Sequence, residues 1–493
     1  MPTVQIVNAL NNTYPNFNRS FNGVHGKWIV TLSDSEGTSP KYVLQVREQT
    51  TDEVIGELRQ SANVAGVAHF DIAPILRARV SASPDIEQTT LLATADNETF
   101  GFYLAAGYVD TDGSVNIQEI DPTSAGDQYL QEYQAFNVVK RYDELNWSWE
   151  NFASQLYEVN VAGFIFNVIV PSAKALTELT YTEPYSAKTP PCWDSVAIEA
   201  PYRICYPISL KAGEDMTLTW VNRADCYDGA EEFTSTQTIT HFAFYFVNDT
   251  LGTFDSMVIK NSLANGGGPN ADPDTAIDTR NNTPYGAITL QVGDRNPQIA
   301  AKLNAGGYEY YYVVPIVMRN PENPAGIGAC TFVVPDTAVV AGVGYRVDIT
   351  NGDCNDFENV RLSWLNKYGF RDYFSFEKRN DRQVNVQRNE YTKTQGTWGA
   401  QTFSVNSFDR GREIYSQDIT ESRTINTRYL EDYESEYLRG LYVSPDVRAY
   451  INGEWIPIIL TSNTWNERTF RKDRLFQHTV TFEFANKETS QQG

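Results

Sequence analysis

The side chains best equipped for chemistry in this sequence are four histidines, five cysteines and one acid-rich stretch. In Asn270-Ala-Asp-Pro-Asp-Thr-Ala-Ile-Asp278 the oxygens of Asn270, Asp272, Asp274 and Asp278 recur as a hard divalent cation would need them. Pro273 and the lack of a central glycine depart from a calcium loop, so the stretch reads as a solvated acidic loop, a weak cation candidate only. Asp110-Thr-Asp-Gly-Ser114 carries half of the same pattern and reads as a turn between strands. Cys192, Cys205, Cys226, Cys330 and Cys354 share no CxxC spacing, so reduced thiols are expected and no zinc site.

The histidines form neither HxH nor HExxH, and none neighbours a cysteine or an obvious serine nucleophile. His25 sits in a Gly-Val-His-Gly turn, His69 precedes Phe70, and His241 opens an aromatic run. His478 falls on the apolar face of a strand, the place of a hydrogen-bonded core or rim histidine. No nucleophile elbow, Walker A loop or dinucleotide fingerprint occurs, and the glycines at 266 to 268 lack the partners that would hold a phosphate. The 62 acidic residues offer too many pairs to single out a glycosidase couple. The expectation is a protein that is not an enzyme and uses no cofactor.

Bulk properties narrow the partners. With 62 Asp and Glu against 39 Lys and Arg, the formal charge is -23. Such a surface repels phosphate backbones and anionic membranes, which argues against sequence-specific nucleic-acid binding. No apolar run approaches the roughly 18 residues of a membrane helix. The longest, Val161 to Val170, is strand-length, and Met1-Pro-Thr-Val-Gln5 lacks the basic and apolar parts of a secretory leader. Synthesis in a cytoplasm without membrane insertion is expected.

The elements that must position these residues are strands. The fold class expected is mainly β, with several β-sandwich-like modules in series and a few short helices. Lys27 to Leu32 and Lys41 to Val46, either side of the turn-rich Ser33 to Pro40, predict a hairpin. A short helix follows, with Asp71 as N-cap and Ile72, Ile75, Leu76 and Val80 on one face. Glu309 to Val317 predicts a strand with Pro315 at an edge or bulge. Helical spacing links Leu430, Tyr433, Tyr437, Leu438 and Leu441, and period two runs from Phe476 to Phe484. Three modules result: 1–108 with the short helix, 109–350 with long loops at 183–207 and 262–283, and 351–493 with an aromatic hairpin and one helix.

That aromatic hairpin is Arg361-Leu-Ser-Trp-Leu-Asn-Lys-Tyr-Gly-Phe-Arg-Asp-Tyr-Phe-Ser-Phe376, two apolar strands around a turn from Asn366 to Gly369. Through Trp364, Leu365, Asn366, Gly369, Asp372, Tyr373, Phe374 and Phe376 it resembles a pattern in virion structural proteins of tailed phages, including crAss-like and related phages of Bacteroidetes. Val54 to Leu58 with Phe70 to Leu76 is similar to their first domain, and Leu438 to Tyr450 with Thr479 to Phe484 to their last. The resemblance implies a virion protein of tail, hub or neck type, assembled in the host cytoplasm. Its implied partners are copies of itself, in a ring or sleeve, and other virion proteins. A host-surface carbohydrate-binding or fibre-attachment protein is the alternative, expected to cluster Trp and Tyr near the loops at 183–207 or 265–278. A capsid decoration protein is the second.

Overall fold

The computed structural model describes residues 4–9, 21–25, 27–34, 41–48, 51–80, 92–94, 99–110, 112–121, 133–137, 139, 159–161, 164–169, 207–223, 241–261, 287–318, 338–340, 344–350, 358–430, 432–462, 464–465 and 477–486. The chain is mainly β, with several separate sheets and a few short helices. It forms two compact units: residues 1–351 with 365–372, and residues 352–364 with 373–493.

In the first unit, β-branched and aromatic runs build two pairs of sheets. Val4–Ala9, Ile29–Asp34 and Val67–Asp71 make a three-stranded antiparallel sheet. A second sheet orders Phe21–Gly23, Tyr133–Phe136, Thr99–Val109, Tyr42–Glu48 and Val54–Gln60, with Val115–Asp121 also on Thr99–Val109. Period-two alternation turns Val30 and Leu32 from one sheet toward Leu44, Val46 and Leu104 from the other in a shared core. Trp28 meets Phe102 there edge-on, with ring centroids 5.2 Å apart.

This arrangement corrects the hairpin expected across residues 33–40. Ile29–Asp34 and Tyr42–Glu48 join different sheets, so the two strands do not pair with each other. Both strands have an apolar face to bury, and facing sheets bury both faces against each other. The short helix is Ala73–Arg77, and its N-cap is Ile72, without a side-chain cap. The Asp71 carboxylate instead accepts from the Ala73 and Trp28 N–H groups, each at 3.1 Å, tying the helix to the strand entry. Ile72, Leu76 and Val80 are buried as their spacing implied.

The other pair of sheets starts from Val159–Val161, Phe164–Ile169, Thr217–Arg223, Ala287–Gln291 and Leu92–Thr94. Against it lie Ile208–Leu210, Tyr345–Ile349, Tyr310–Met318, His241–Asn248 and Thr253–Lys260, with Ala338–Val340 also on Tyr310–Met318. Trp220 joins the layers, with centroids 4.9 Å from Phe242 and 5.0 Å from Tyr345. Pro315 is not on an edge strand, since Tyr310–Met318 pairs on both sides. It falls where the second neighbour changes, after Val313 pairs with Tyr345 and before Ile316 pairs with Val340. A residue without an N–H fits that interruption of the ladder. Helix Pro297–Ala305 is capped by Asn296, which accepts from Gln298 and Ile299 N–H groups.

The break expected at residue 108 falls inside Thr99–Val109, whose edges hold Val115–Asp121 and Tyr133–Phe136. Leu92–Thr94 pairs with Ala287–Gln291, so strands pass between the modules expected at either side of 108. Both pairs of sheets belong to the unit of residues 1–351 with 365–372.

The second unit is a seven-stranded sheet in the order Arg371–Phe376, Val360–Leu365, Val447–Ile451, Glu454–Leu460, Thr479–Phe484, Arg412–Asn426 and Asp381–Thr392. Asn452 and Gly453, both at positive φ, close the hairpin between Val447–Ile451 and Glu454–Leu460. Helix Asp432–Val443 buries Tyr437, Leu438 and Leu441 and stops before Ser444-Pro445. His478, Val480 and Phe482 are buried in the alternation read from the sequence.

Candidate assembly interface

The eight motif residues of the Arg361–Phe376 hairpin are all buried. Trp364 lies against Tyr437 of the helix at a centroid distance of 5.1 Å, and Gly440 leaves room for the indole. The Tyr437 hydroxyl accepts from the Tyr373 N–H and donates to the Tyr373 carbonyl, both at 3.1 Å. Phe374 and Phe376 meet edge-on at 5.2 Å. In the turn, Asn366 Oδ1 accepts from the Tyr368 and Phe370 N–H groups at 2.9 and 3.2 Å. Gly369 holds φ +87°, and a Cβ there would sit 2.7 Å from the Asn137 carbonyl oxygen. Leu365 and Asp372 are buried at the two ends of the turn. These residues make a core and a turn, and they offer no surface to a ligand.

Asn270, Asp272, Asp274 and Asp278, the five cysteines and the loops at 183–206 and 262–283 lie outside the described residues. Among the described residues, no group of three or more His, Cys, Asp or Glu could hold a metal ion. No helix among them is long and apolar enough to cross a membrane. Asp112 Oδ1 accepts from the Ser114 N–H and hydroxyl at 2.8 and 2.6 Å, closing the expected turn and holding this carboxyl below the usual range.

One pair has the form of a nucleophile and base: Ser435 Oγ lies 2.8 Å from His478 Nε2. Both are buried, and the imidazole stacks on Trp465 at 6.5 Å. Burial pushes the His478 pKa down, favouring the neutral ring. With no exposed face, the pair reads as a satisfied polar contact in the core.

Exposure concentrates elsewhere, on a two-stranded arm. Asp381–Thr392 and Arg412–Asn426 pair from Asp381 and Thr424 to Thr392 and Arg412, with a bulge between Asn389 and Glu390. Thr479–Phe484 covers only Ser422 to Asn426 of the second strand. Beyond that root the ribbon runs on as a pair, about 24 Å from Asn385 to Thr392 at ~3.4 Å per residue. Lys393 N–H donates to the Gly411 carbonyl at 3.0 Å, and Thr397–Trp398 pairs with Phe403–Ser404 at the tip.

Cross-strand partners share a face, so the arm has two unlike sides. Asn385, Gln387 and Asn389 lie opposite Thr420, Asp418 and Ser416 on a polar side. Val386 opposes Ile419 on the other, which also carries Val384 and Ile414. Among the described residues, nine of the seventeen exposed large hydrophobics fall between 384 and 415. The tip is aromatic: Trp398 is 70% exposed, Phe408 80% and Tyr415 66%, and Trp398 meets Phe403 at 4.5 Å. Near the tip, Glu413 accepts from the Tyr391 hydroxyl at 2.6 Å and from Lys393 Nζ. The Lys393 and Tyr391 hydrogen bonds hold the Glu413 carboxyl below its ordinary range, and the same contacts push Lys393 and Tyr391 up. Exposed apolar patches of this kind are a feature that interaction surfaces share.

No sequence motif marks residues 381–426. The available signal was the alternation Gln383-Val-Asn-Val-Gln387 followed by aromatics between glycines, from Tyr391 to Phe408.

No family model matches the chain, and no curated protein matches it. Among solved structures, a marsupial T cell receptor aligns over 82% of this chain and 93% of that chain, at 8% identity and a TM-score of 0.16. A similarity that low carries no argument about fold or function.

Proposed function

We propose that this chain is a structural component of a tailed-phage virion, of tail, hub or neck type, that works by assembling with copies of itself and with other virion proteins. The observation that carries this reading is the arm, an apolar-tipped ribbon whose tip and outer face lie exposed within its own unit. Isolated two-stranded ribbons are marginal in water, so a long one with an aromatic tip favours a partner. Exposed edges and loops supply repeated contacts without chemistry. The resemblance of Trp364 to Phe376 supports the virion lineage, and burial of the hairpin fits a scaffold role rather than a binding one. The test is direct. Peptides of this chain should appear in the mass spectrum of purified, nuclease-treated particles, and labelled antibody should mark a fixed point on them. Particles that form normally without the chain, and never contain it, would remove the reading.

A second reading is favoured by Trp398 and Phe403, an exposed aromatic pair of the sort that stacks on sugar rings. In it the arm is a host-surface carbohydrate contact. Retention on a glycan array, abolished by Trp398→Ala, distinguishes it from a purely structural part.

A further inference from the structure

We propose that the arm docks on the body of a second copy of this chain, making a head-to-tail contact between copies. This rests on the self-assembling part of the reading above and names its surface and partner.

Charge selects the occupant. Residues 381–426 hold six basic residues against six acidic ones, so the arm is neutral within a chain of charge -23. The remaining residues hold 56 acidic against 33 basic and carry the whole excess. Two bodies repel one another, whereas a neutral arm approaches a body without that penalty. Its cations also meet an acidic field: Arg412 is mostly exposed, its Glu390 contact is long at 3.8 Å, and Arg388 is exposed as well. Arm against arm would bring no such complementarity, because each arm is already balanced.

Area agrees. Burying Tyr391, Trp398, Phe403, Phe408 and Tyr415 at their observed exposures would remove roughly 500 Å² from solvent at typical aromatic areas. Val384, Val386 and Ile414 add to this on the side they share with Arg388, Glu390 and Glu421. The sum approaches the ~800 Å² per partner of a standard interface. Because the arm and the body are different surfaces, the contact is heterologous, and repetition closes a ring or continues as a filament.

The experiment uses the full-length chain in sedimentation velocity over a concentration series, with a benzophenone side chain at position 408 for photo-crosslinking. The expected result is a defined oligomer, with crosslinks from position 408 to body peptides of another copy. Trp398→Ser with Phe403→Ser should weaken association at least tenfold while leaving the urea midpoint unchanged. Arm-to-arm crosslinks alone, an unaltered oligomer in the double variant, or a wild-type monomer at all concentrations would each overturn the inference. So would crosslinking in intact particles only to a different protein or retention only by glycans. The virion reading is judged apart, by the presence of the chain in particles, so the two can fail independently.

Discussion

The seven-stranded sheet ends in an aromatic hairpin on each edge, and the two hairpins place their side chains in opposite environments. At one edge, Val360–Leu365 and Arg371–Phe376 are buried almost throughout, on both faces of the pleat. At the other, Asp381–Thr392 is exposed at nearly every position. Composition alone does not separate them, since both carry Trp, Tyr, Phe and Arg. The difference lies in what covers them. Helix Asp432–Val443 lays Tyr437 on Trp364 and Tyr373, whereas only the root of the arm is held, by Thr479–Phe484. The first hairpin therefore contributes to stability, and the second is the surface we propose for contacts beyond the unit.

The largest test of that contrast is Trp364→Ala. Truncating a fully buried indole should cost about 3–5 kcal/mol, read as a lowered urea midpoint of the second unit. An unchanged midpoint would erase the distinction between the edges. Gly369→Ala comes next, because φ +87° and the Asn137 carbonyl both oppose a Cβ; a loss of about 1–3 kcal/mol is expected in the urea midpoint of the first unit, to which both residues belong. pH gives a third, smaller effect. Burial lowers the folded pKa of His478, so the unfolded chain binds its proton more readily. The stability His478 allows is complete above its unfolded pKa and falls as the pH drops through that value toward the folded one. The urea midpoint should decline on acidification below about pH 6.5, and less steeply in His478→Gln. Smallest of all is the arm: Trp398→Ser should move the midpoint by no more than about 0.5 kcal/mol. A large loss there would mean that the arm belongs to the core after all.

Much of the fold was legible because local chemistry decides it. The turn from Asn366 to Gly369 needs a side-chain acceptor and a positive φ, and both residue types announce it. The helix through Tyr437 to Leu441 and the alternation from His478 to Phe482 follow from periodicity. What periodicity cannot convey is which sheet a strand joins, and so Ile29–Asp34 and Tyr42–Glu48 read as a hairpin although they face each other across a core. Pro315 reads as an edge or bulge for the same reason, since the change of neighbour beside it depends on residues 25 positions later in the chain. The arm escaped notice because sequence signals report burial, and a ribbon solvated on both sides has little to report. The acidic oxygens of Asn270 to Asp278 were visible as a pattern but lie outside the described residues.

The strand Thr479–Phe484 sits between Glu454–Leu460 and Arg412–Asn426, although it is the last of the three to be translated. Until residue 484 emerges, the root of the arm has no neighbour on that side. The root gains this neighbour only once Thr479–Phe484 is made, and ribosome-bound chains stopped before residue 479 should leave it sensitive to protease.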